Sequence, residues 1–451
     1  MNLIRLYNSV TTNVRTKNII RHIGFSSLYK MGTIVSNFLL VPISIDYLDT
    51  DAYGVWLTIS TFILWFSFFD VGLGNGLRNR FAESIIKKEK KSAKSYVSTA
   101  YISLGVVSSI LIILFLIINP FVNWSIIFNS HEDLNDELQI LVPVVFIFFA
   151  IQLILKLIIS LNQAIQNHSI NDKIQFYTQF FSLLIVLFLL EYGSGDLIFF
   201  GFFISLIPLL LLIFVNLLCF KNEFKDVKPS FKSYNSKYLK SITGLGFGFF
   251  ITKVGALLLL TTDTFIISQL YGPEQVVNYN IVYKYFSVVT IVYGVIINPF
   301  WSSFTEAFAK KDFIWIRKSI NNVQRLWLLI PLALILMIAL SNWFYNFWVG
   351  REISISINLS ISVAIFALLY SFNQIYNQFI NGVGKIRINL ILSLFIIFFN
   401  IPLSFYFSKV LGLGVSGVVL GSCLCMLMKC ILLPIQYFKI INKKAKGYWS
   451  M

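Results

Sequence analysis

Six cationic side chains that interrupt apolar stretches are the residues of this 451-residue sequence best suited to chemistry. They are Lys30, Lys156, Lys253, Lys284, Arg325 and Lys429. A charge in the middle of a membrane helix costs about 2.5–3.5 kcal/mol on insertion scales, so such a residue is expected to face water or a partner. The available acidic partners, chiefly Asp70 and Asp263, are too few. We therefore expect a hydrated cavity of net positive charge, which would attract an anion such as a diphosphate.

The positions of these cations separate two interpretations. Lys253 lies about eleven residues into its predicted helix, near the membrane midplane, which favours a place in the cavity. Lys30 and Lys284 are comparable, and Lys429 is left open between cavity and surface. Lys156 lies about 8 Å from the end of its predicted helix at 1.5 Å per residue, close enough for its ammonium to reach the membrane surface. Arg325, in the first turns of its predicted span, is interpreted in the same way.

Two acidic residues have open roles. Asp263 could couple transport to an ion or pair with a lysine, or it could lie near the outer interface. Asp70 ends the second apolar segment and is followed by Asn75, Arg78 and Arg80. This group could be a loop anchored by an Asp–Arg pair, or a cytoplasmic gate that first meets the phosphate of a substrate.

Three glycine patterns do not indicate nucleotide binding. Gly72-x-Gly74-x-Gly76 and Gly244-x-Gly246-x-Gly248 lack the preceding soluble strand and the final spacing of a dinucleotide fingerprint, and they favour close helix packing or a bend. Gly384-Lys385 lacks the earlier glycine of a P-loop, where Phe379 stands, and no Ser or Thr follows. We predict no ATPase and no other enzymatic activity. Transport is expected to use a Na⁺ or H⁺ gradient, or downhill use of the product, and no other cofactor.

The cysteine and histidine residues predict neither a disulfide framework nor a zinc site. The residues are Cys219, Cys423, Cys425, Cys430, His22, His131 and His168. The cysteines fall in apolar segments and the histidines lie far apart. Residues 1–21 are polar and basic, without the apolar core of a removable signal peptide.

Composition places the chain in a membrane. Hydrophobic residues make up 57% and charged residues 12%, so a globular protein of this length could not cover its surface with polar groups. Segments of about 20 apolar residues predict an all-α polytopic protein with twelve spans. They lie near 24–45, 53–73, 97–119, 139–161, 174–190, 197–220, 242–268, 276–301, 320–344, 356–380, 388–408 and 414–438.

Loop charge predicts the orientation of these spans. The two ends and the alternate loops on the same side carry 28 of the 36 basic residues, whereas the other side carries only Arg351 and Lys409 and most of the acids. Basic loops stay in the cytoplasm, so both ends are predicted to be cytoplasmic. The net charge of +16 is thus explained by topology and by contact with anionic membrane lipids, and no nucleic acid partner is expected.

Internal similarity divides the spans into two sets of six. Phe81-x-Glu83-x-x-x-Lys87-Lys88-Glu89 matches Phe304-x-Glu306-x-x-x-Lys310-Lys311-Asp312 at a separation of 223 residues, and Lys30 matches Lys253 at the same separation. A third match places 162–166 opposite 377–381. An even number of spans per repeat gives parallel repeats, as in some transporters. We predict an N-lobe at 1–220, a cytoplasmic linker at 221–241, a C-lobe at 242–440 and a basic cytoplasmic tail at 441–451.

Several motifs resemble those of a known family. The stretch 70–80, Asp-Val-Gly-Leu-Gly-Asn-Gly-Leu-Arg-Asn-Arg, resembles the motif after the second helix of Wzx-type O-antigen and capsule flippases. These belong to the multidrug/oligosaccharidyl-lipid/polysaccharide (MOP) exporter superfamily. Residues 263–280 are similar to the family's link between helices 7 and 8, and 381–385 and 411–417 look like its later loops.

The resemblance implies two six-helix lobes around a V-shaped cavity in a bacterial inner membrane. It implies flipping of undecaprenyl-diphosphate-linked oligosaccharide, an O-antigen or capsule repeat unit, from the inner to the outer leaflet by alternating access. A polysaccharide polymerase and chain-length proteins are the partners it suggests. Lys30, Lys253, Lys284 and Lys429 are then expected to bind the substrate.

Two alternatives were weighed. A cation-coupled multidrug exporter of the same superfamily would favour acidic cavity residues, whereas the charge within these spans is mainly positive. A membrane-embedded glycosyltransferase or polymerase would be expected to carry a large external loop. The longest predicted outer loop, near 120–138, is small for that role.

Overall fold

The computed structural model describes residues 14–70, 72–165, 167, 169–244, 247–298, 300–349 and 355–450. Side chains are described from Leu28 onward, apart from those of residues 244, 247–249, 302 and 309. Some residues used above therefore lie outside the described set. They are Arg5, Val71, Gln166, His168, Gly246, Arg351 and Glu352, together with the side chains of Arg15, Lys17, Arg21 and His22.

Twelve helices within the described residues are long and apolar enough to cross a membrane. No strand occurs in this part of the chain. The prediction of an all-α polytopic protein with twelve spans is confirmed. The predicted orientation of the two ends stays a prediction.

One compact unit comprises Met1–Ala52 and Phe62–Phe250. Its helices are α1 Val14–Leu48, the second part of α2 Thr50–Trp65, α3 Leu73–Ile86, α4 Lys90–Ile118, α5 Trp124–Phe128, α6 Asn135–Leu155, α7 Leu157–Ala164, α8 Ser169–Tyr192, α9 Leu197–Lys221 and α10 Ser236–Gly244. Span 1 is formed by α1, span 2 by α2, span 3 by α4, span 4 by α6 and α7, span 5 by α8 and span 6 by α9. Fully buried aromatic side chains, among them Phe81, Phe146 and Phe200, form the core of this unit.

The second compact unit comprises Tyr53–Thr61 and Ile251–Met451. Its helices are the first part of α2, then α11 Phe247–Tyr271, α12 Pro273–Ile297, α13 Phe300–Ala309, α14 Phe313–Trp327, α15 Leu329–Val349, α16 Ile357–Val383, α17 Arg387–Phe405 and α18 Gly414–Ile441. Spans 7, 8, 10, 11 and 12 are formed by α11, α12, α16, α17 and α18, and span 9 by α14 with α15. Phe286, Phe379 and Tyr376 lie in its core. The predicted lobe and linker boundaries stay predictions.

Large apolar side chains are exposed along the spans of both units. Ile113 and Leu217 in the first unit and Leu332 and Phe398 in the second are each more than half exposed. An apolar surface of this extent is stable against lipid tails and costly against water. The helices thus carry apolar residues on faces directed both toward the core and toward the membrane.

Short polar side chains begin several helices. Asp196 Oδ1 accepts hydrogen bonds from the backbone N–H groups of Ile198 at 2.6 Å and Phe199 at 3.2 Å, at the start of span 6. Asp49 Oδ1 accepts from Ala52 N at 2.9 Å at the start of span 2. The first N–H groups of a helix have no partner within the helix, so these caps supply one.

The internal repeat is visible in the backbone as well as in the sequence. After α3, Lys88 N donates to Ile85 O and Glu89 N to Ser84 O; after α13, Lys311 N donates to Phe308 O and Asp312 N to Ala307 O. Lys88 has φ 60° and Lys311 has φ 59°. Both helices end in the same Schellman turn, 223 residues apart. The predicted similarity between the segments that follow spans 2 and 8 therefore has a structural counterpart.

The predicted start of span 7 at residue 242 is wrong. A separate short helix, α10, ends at Gly244, and α11 begins at Phe247. Hydropathy counts the stretch 243–248 as apolar, but glycine disfavours a helix by about 1 kcal/mol relative to alanine. The consequence is that Lys253 is the seventh residue of α11, about 9 Å from its start rather than near its middle.

Candidate functional site

A chain of hydrogen bonds inside the second unit ends on the carboxylate of Asp263. Asn400 Nδ2 donates to Ser422 Oγ at 2.9 Å, and Ser422 Oγ donates to Asp263 Oδ1 at 2.7 Å. Thr262 Oγ1 and Asn400 Oδ1 form another hydrogen bond. The Tyr279 hydroxyl donates to Asp263 from span 8. Spans 7, 8, 11 and 12 thus meet at one carboxylate, which accepts hydrogen bonds as an ionised group does.

This cluster is almost completely buried. Asp263 is 2% exposed, and Thr262, Asn400 and Ser422 are buried as fully. Its oxygen donors, a carboxylate, an amide and hydroxyls, suit a hard cation such as Na⁺, or a proton on the carboxylate. Because these groups already bond to one another, a bound cation would have to replace some of those hydrogen bonds.

Lys429 lies on the same face of span 12 as the cluster. Ser422, Cys425 and Lys429 are separated by three and four residues, the spacing that places side chains on one helix face. Cys425 is within electrostatic range of both Asp263 and Lys429. Lys429 is only 5% exposed, and its nearest electrostatic neighbours are the thiols of Cys425 and Cys430. The second unit therefore buries a carboxylate and an ammonium with a thiol between them.

Polar groups continue from the cluster along the contact between spans 8 and 10. The rings of Tyr279 and Tyr283 lie 5.8 Å apart, and Tyr283 is within electrostatic range of Tyr370 on span 10. Near the end of span 8, Gln378 Nε2 donates to Asn298 Oδ1 at 2.8 Å. Buried amides and hydroxyls thus follow these two spans over most of their length.

The remaining predicted substrate-binding lysines occupy different environments. Lys284 follows Tyr283 on span 8 and is half-buried. Lys253 is exposed on span 7. Lys30, in the first unit, is half-buried. Only Lys429 is placed by the structure beside Asp263, so a single cluster of all four lysines is not seen within either unit.

The two cations expected to reach the membrane surface are both exposed. Lys156 lies at the turn that separates α6 from α7, with its Nζ 5.6 Å from the centre of the Phe149 ring. Arg325 lies in the last turn of the amphipathic helix α14, before span 9 continues as α15. These positions agree with the interpretation of both residues as interfacial.

The motif at 70–80 shapes the start of α3. Asp70 Oδ1 accepts a hydrogen bond from Gly74 N at 3.1 Å. Gly72 has φ 74°, a left-handed conformation that favours glycine. A Cβ on Gly74 would lie 3.0 Å from Ser160 Oγ, so this glycine permits close packing on span 4. Asp70 therefore has a local structural role, whatever part it plays in a gate.

The same motif holds the helix α10. A Cβ on Gly76 would lie 2.2 Å from the backbone oxygen of Ile242, so only glycine fits this contact. Arg80 Nε donates to Ser241 O at 3.5 Å, and Arg80 Nη1 pairs with Glu83 at 2.9 Å. Asn75 is exposed. Arg78 is half-buried, and burial lowers the pKa of its guanidinium from the ordinary value.

A cavity of about 600 Å³ lies in the first unit, where spans 2 and 6 begin. Five carboxylates and a histidine line it: Asp49, Asp51, Asp133, Glu137, Asp196 and His131. Its negative lining would repel a phosphate, and two of its carboxylates cap helices. Among the described residues, no group of three or more His, Cys, Asp or Glu side chains could hold a metal ion, and the four cysteines are free.

Sequence reasoning identified Asp263 and Lys429 but missed the neighbours of Asp263. Asn400, Ser422 and Tyr279 are single polar residues in strongly apolar spans. Polar side chains in membrane helices usually bond across to another helix, so each could have been flagged as a contact. Which helix each one meets depends on packing, which no local pattern records.

The comparisons with known proteins agree with this architecture. A family model described as polysaccharide biosynthesis protein matches residues 19–303. The chain belongs to this family. The matched residues run from span 1 through α13 and include the glycine motif and Asp263.

Relatives in this family carry names related to O-antigen. A protein of Yersinia pseudotuberculosis named for O-antigen export is 24% identical over 63% of this chain and 64% of its own length. A Salmonella typhimurium protein named as an O-antigen transporter is 25% identical over 66% of this chain and 68% of its own. The chain thus matches slightly less than two thirds of the Yersinia relative.

Solved structures show the same fold. An inward-facing MATE family multidrug resistance transporter of the MOP superfamily has a TM-score of 0.70 at 13% identity and covers 93% of this chain and 96% of its own. The lipid II flippase MurJ in an inward closed conformation has a TM-score of 0.70 at 15% identity, covering 93% of this chain and 89% of its own. The predicted membership of the MOP superfamily is confirmed. The protein is a multi-pass transporter or flippase of the bacterial inner membrane.

Proposed function

We propose that this protein flips undecaprenyl-diphosphate-linked oligosaccharide, an O-antigen or capsule repeat unit, from the inner to the outer leaflet by alternating access. The names of the relatives support this substrate class, and the fold is one that a lipid II flippase also has. A polysaccharide polymerase and chain-length proteins would then act on the product.

The observation that carries the proposal is the excess of positive charge within the spans. From Ile353 to Met451 the sequence has eight basic residues and no acidic one. Lys429, in the middle of this stretch, is buried beside thiols. A buried ammonium is costly unless it is paired, so a diphosphate is a favourable counter-ion. Lys30, Lys253, Lys284 and Lys429 are the proposed contacts of the substrate.

The motif at 70–80 is the proposed entrance. Asn75 is exposed and Arg78 half-buried beside it on α3, where a phosphate could reach both. Asp70 and Arg80 would keep α3 and α10 in place around this entrance. Asp263 is the proposed ion-coupling residue, because it is a buried carboxylate whose partners are all neutral oxygen groups.

The test is reconstitution of the purified protein in liposomes that contain a fluorescent polyprenyl-diphosphate oligosaccharide. A membrane-impermeant quencher then reports the fraction in the outer leaflet, with and without a Na⁺ or pH gradient. Protein-dependent transfer of the diphosphate lipid, but not of a phosphatidylcholine carrying the same fluorophore, is expected.

A cation-coupled multidrug exporter is the second candidate, because the fold is also that of MATE transporters and Asp263 is a buried acid. The same liposomes loaded with a fluorescent cationic drug test it. Drug movement without transfer of the diphosphate lipid would overturn the flippase proposal.

A further inference from the structure

Residues 447–450 fold back onto the second unit, against spans 11 and 12. Gly447–Trp449 form one turn of 3₁₀-helix, closed by hydrogen bonds from Trp449 N to Lys446 O and from Ser450 N to Gly447 O. Gln436 Nε2, on span 12, donates to Lys385 O at 2.9 Å and to Trp449 O at 3.5 Å. Gln436 is fully buried beneath this turn, so the turn is packed rather than only adjacent.

Three cations of the second unit converge on this turn. Lys439 Nζ lies 3.7 Å from the centre of the Trp449 ring, and Arg387 Cζ lies 4.4 Å from the centre of the Tyr448 ring. Lys385 Nζ donates to the backbone oxygen of Ser450. In the turn, therefore, each cation meets a neutral group, either an aromatic face or a carbonyl oxygen.

The elements that build this region supply no negative charge. The turn 384–387, the end of span 12 and the tail all fall within 353–451, a stretch without Asp or Glu. Lys443, Lys444 and Lys446 add positive charge beside the turn. Hydrogen bonds between a cation and a phosphate are roughly twice as strong as neutral ones, and Arg can bind phosphate oxygens in pairs. A phosphate would thus compete well against the groups that now contact Lys385, Arg387 and Lys439.

We propose that Lys385, Arg387 and Lys439 form a binding site for a phosphate-bearing anion, and that residues 447–450 occupy this site when the anion is absent. Tyr448 and Trp449 are residue types that favour the membrane interface, and basic residues beside spans attract anionic headgroups. The phosphate could come from an anionic lipid headgroup or from a soluble phosphate. The site does not depend on what the protein transports.

Hydrogen–deuterium exchange tests whether the anion releases the turn. The full-length protein is placed in nanodiscs of phosphatidylcholine, of phosphatidylcholine with phosphatidylglycerol, or of phosphatidylcholine with added pyrophosphate. Exchange at residues 446–450 is expected to rise about tenfold with the anion, as for the loss of one charge-assisted contact. A response to phosphatidylglycerol alone identifies a lipid headgroup, and a response to pyrophosphate as well identifies phosphate in general. No rise with either anion overturns the proposal.

Two double variants separate this site from general basic attraction. Lys385→Gln with Arg387→Gln should abolish the response to the anion, whereas Lys443→Gln with Lys444→Gln, which removes equal charge from the same tail, should keep it. Equal losses in both would overturn the site. Tyr448→Ala with Trp449→Ala removes the competitor, so phosphatidylglycerol binding measured by native mass spectrometry should increase. A turn with only a structural role predicts no increase, and that result would also overturn the proposal.

Discussion

Asp263 combines burial with hydrogen bonds that come only from neutral donors. Ser422 and Tyr279 both donate to its carboxylate, and Asn400 in turn donates to Ser422. Binding of a proton or Na⁺ at the carboxylate would displace at least one of these donors. Because the donors belong to different spans, ion binding at this one residue would alter contacts between helices.

Replacement of Asp263 by Asn should remove the dependence of transport on an ion gradient. Asn keeps the size of the side chain and can still accept from Ser422, but it carries no charge and binds no proton. In the liposome assay we expect transfer without a gradient to persist and the stimulation by Na⁺ or pH gradients to disappear. Glu191→Gln, at an exposed carboxylate that ends span 5, is the matched control and should retain the stimulation. A full gradient response in Asp263→Asn would exclude Asp263 as the coupling residue.

The residues of this site differ in how far they could be predicted. Asp263 and Lys429 stand out because a charge in an apolar segment is rare and costly. Asn400 and Ser422 change local hydropathy too little to be noticed, and their importance comes from a partner more than twenty residues away in sequence. Lys253 was assigned to the midplane only because the start of its helix was placed too early.

Among the elements, α3 is the one whose sequence is explained by its neighbours. Gly76 meets the backbone of α10, whereas Gly74 meets the hydroxyl of Ser160 on span 4. The first contact involves a backbone oxygen, which cannot rotate away, and the second involves a small side chain, which can. The two glycines of one motif should therefore tolerate substitution very differently.

Gly76→Ala should lower the thermal stability of the protein, because its Cβ would lie 2.2 Å from Ile242 O and α10 would have to move. Overpacking of this kind typically costs about 1–3 kcal/mol. Gly74→Ala should cost much less, since Ser160 can adopt another rotamer. Melting temperatures in the same detergent measure the difference. Gly105→Ala, where no atom lies within 4 Å of the added carbon, is the neutral control. If Gly76→Ala melted with that control, α10 would not be held at this contact.

The elements themselves were largely predictable. Twelve apolar segments of about 20 residues gave twelve spans, because length and hydropathy decide whether a helix can cross a bilayer. The breaks were not predicted. The turn at Lys156 within span 4, the division of span 9 after Trp327 and the separation of α10 from α11 leave hydropathy nearly unchanged.

At the scale of the whole molecule, the duplication relates residues that are far apart in sequence. The turns at Lys88 and Lys311 share their hydrogen bonds and their backbone angles, which supports the alignment of the repeats at a separation of 223 residues. The same separation relates Lys30 to Lys253. If both lysines contact the substrate, the two halves contribute equivalent cations.

Lys253→Ala and Lys30→Ala are therefore each expected to abolish export of surface polysaccharide, because each removes a proposed contact with the diphosphate. Lys156→Ala removes an exposed cation at a helix turn and should leave export unchanged. The measurement is surface polysaccharide in cells that lack the native gene, at matched levels of membrane-inserted protein. Normal export in both lysine variants would overturn the cationic site.

The left-handed lysines at helix ends have a consequence for how the chain enters the membrane. Lys88, Lys311 and Lys443 each have a positive φ where glycine would avoid about 1 kcal/mol of backbone strain. Orientation is decided while the chain is being inserted, when positive residues beside an apolar segment retain that loop in the cytoplasm. A lysine can act at that stage and a glycine cannot. These positions therefore suit biogenesis of the protein better than the stability of its finished fold.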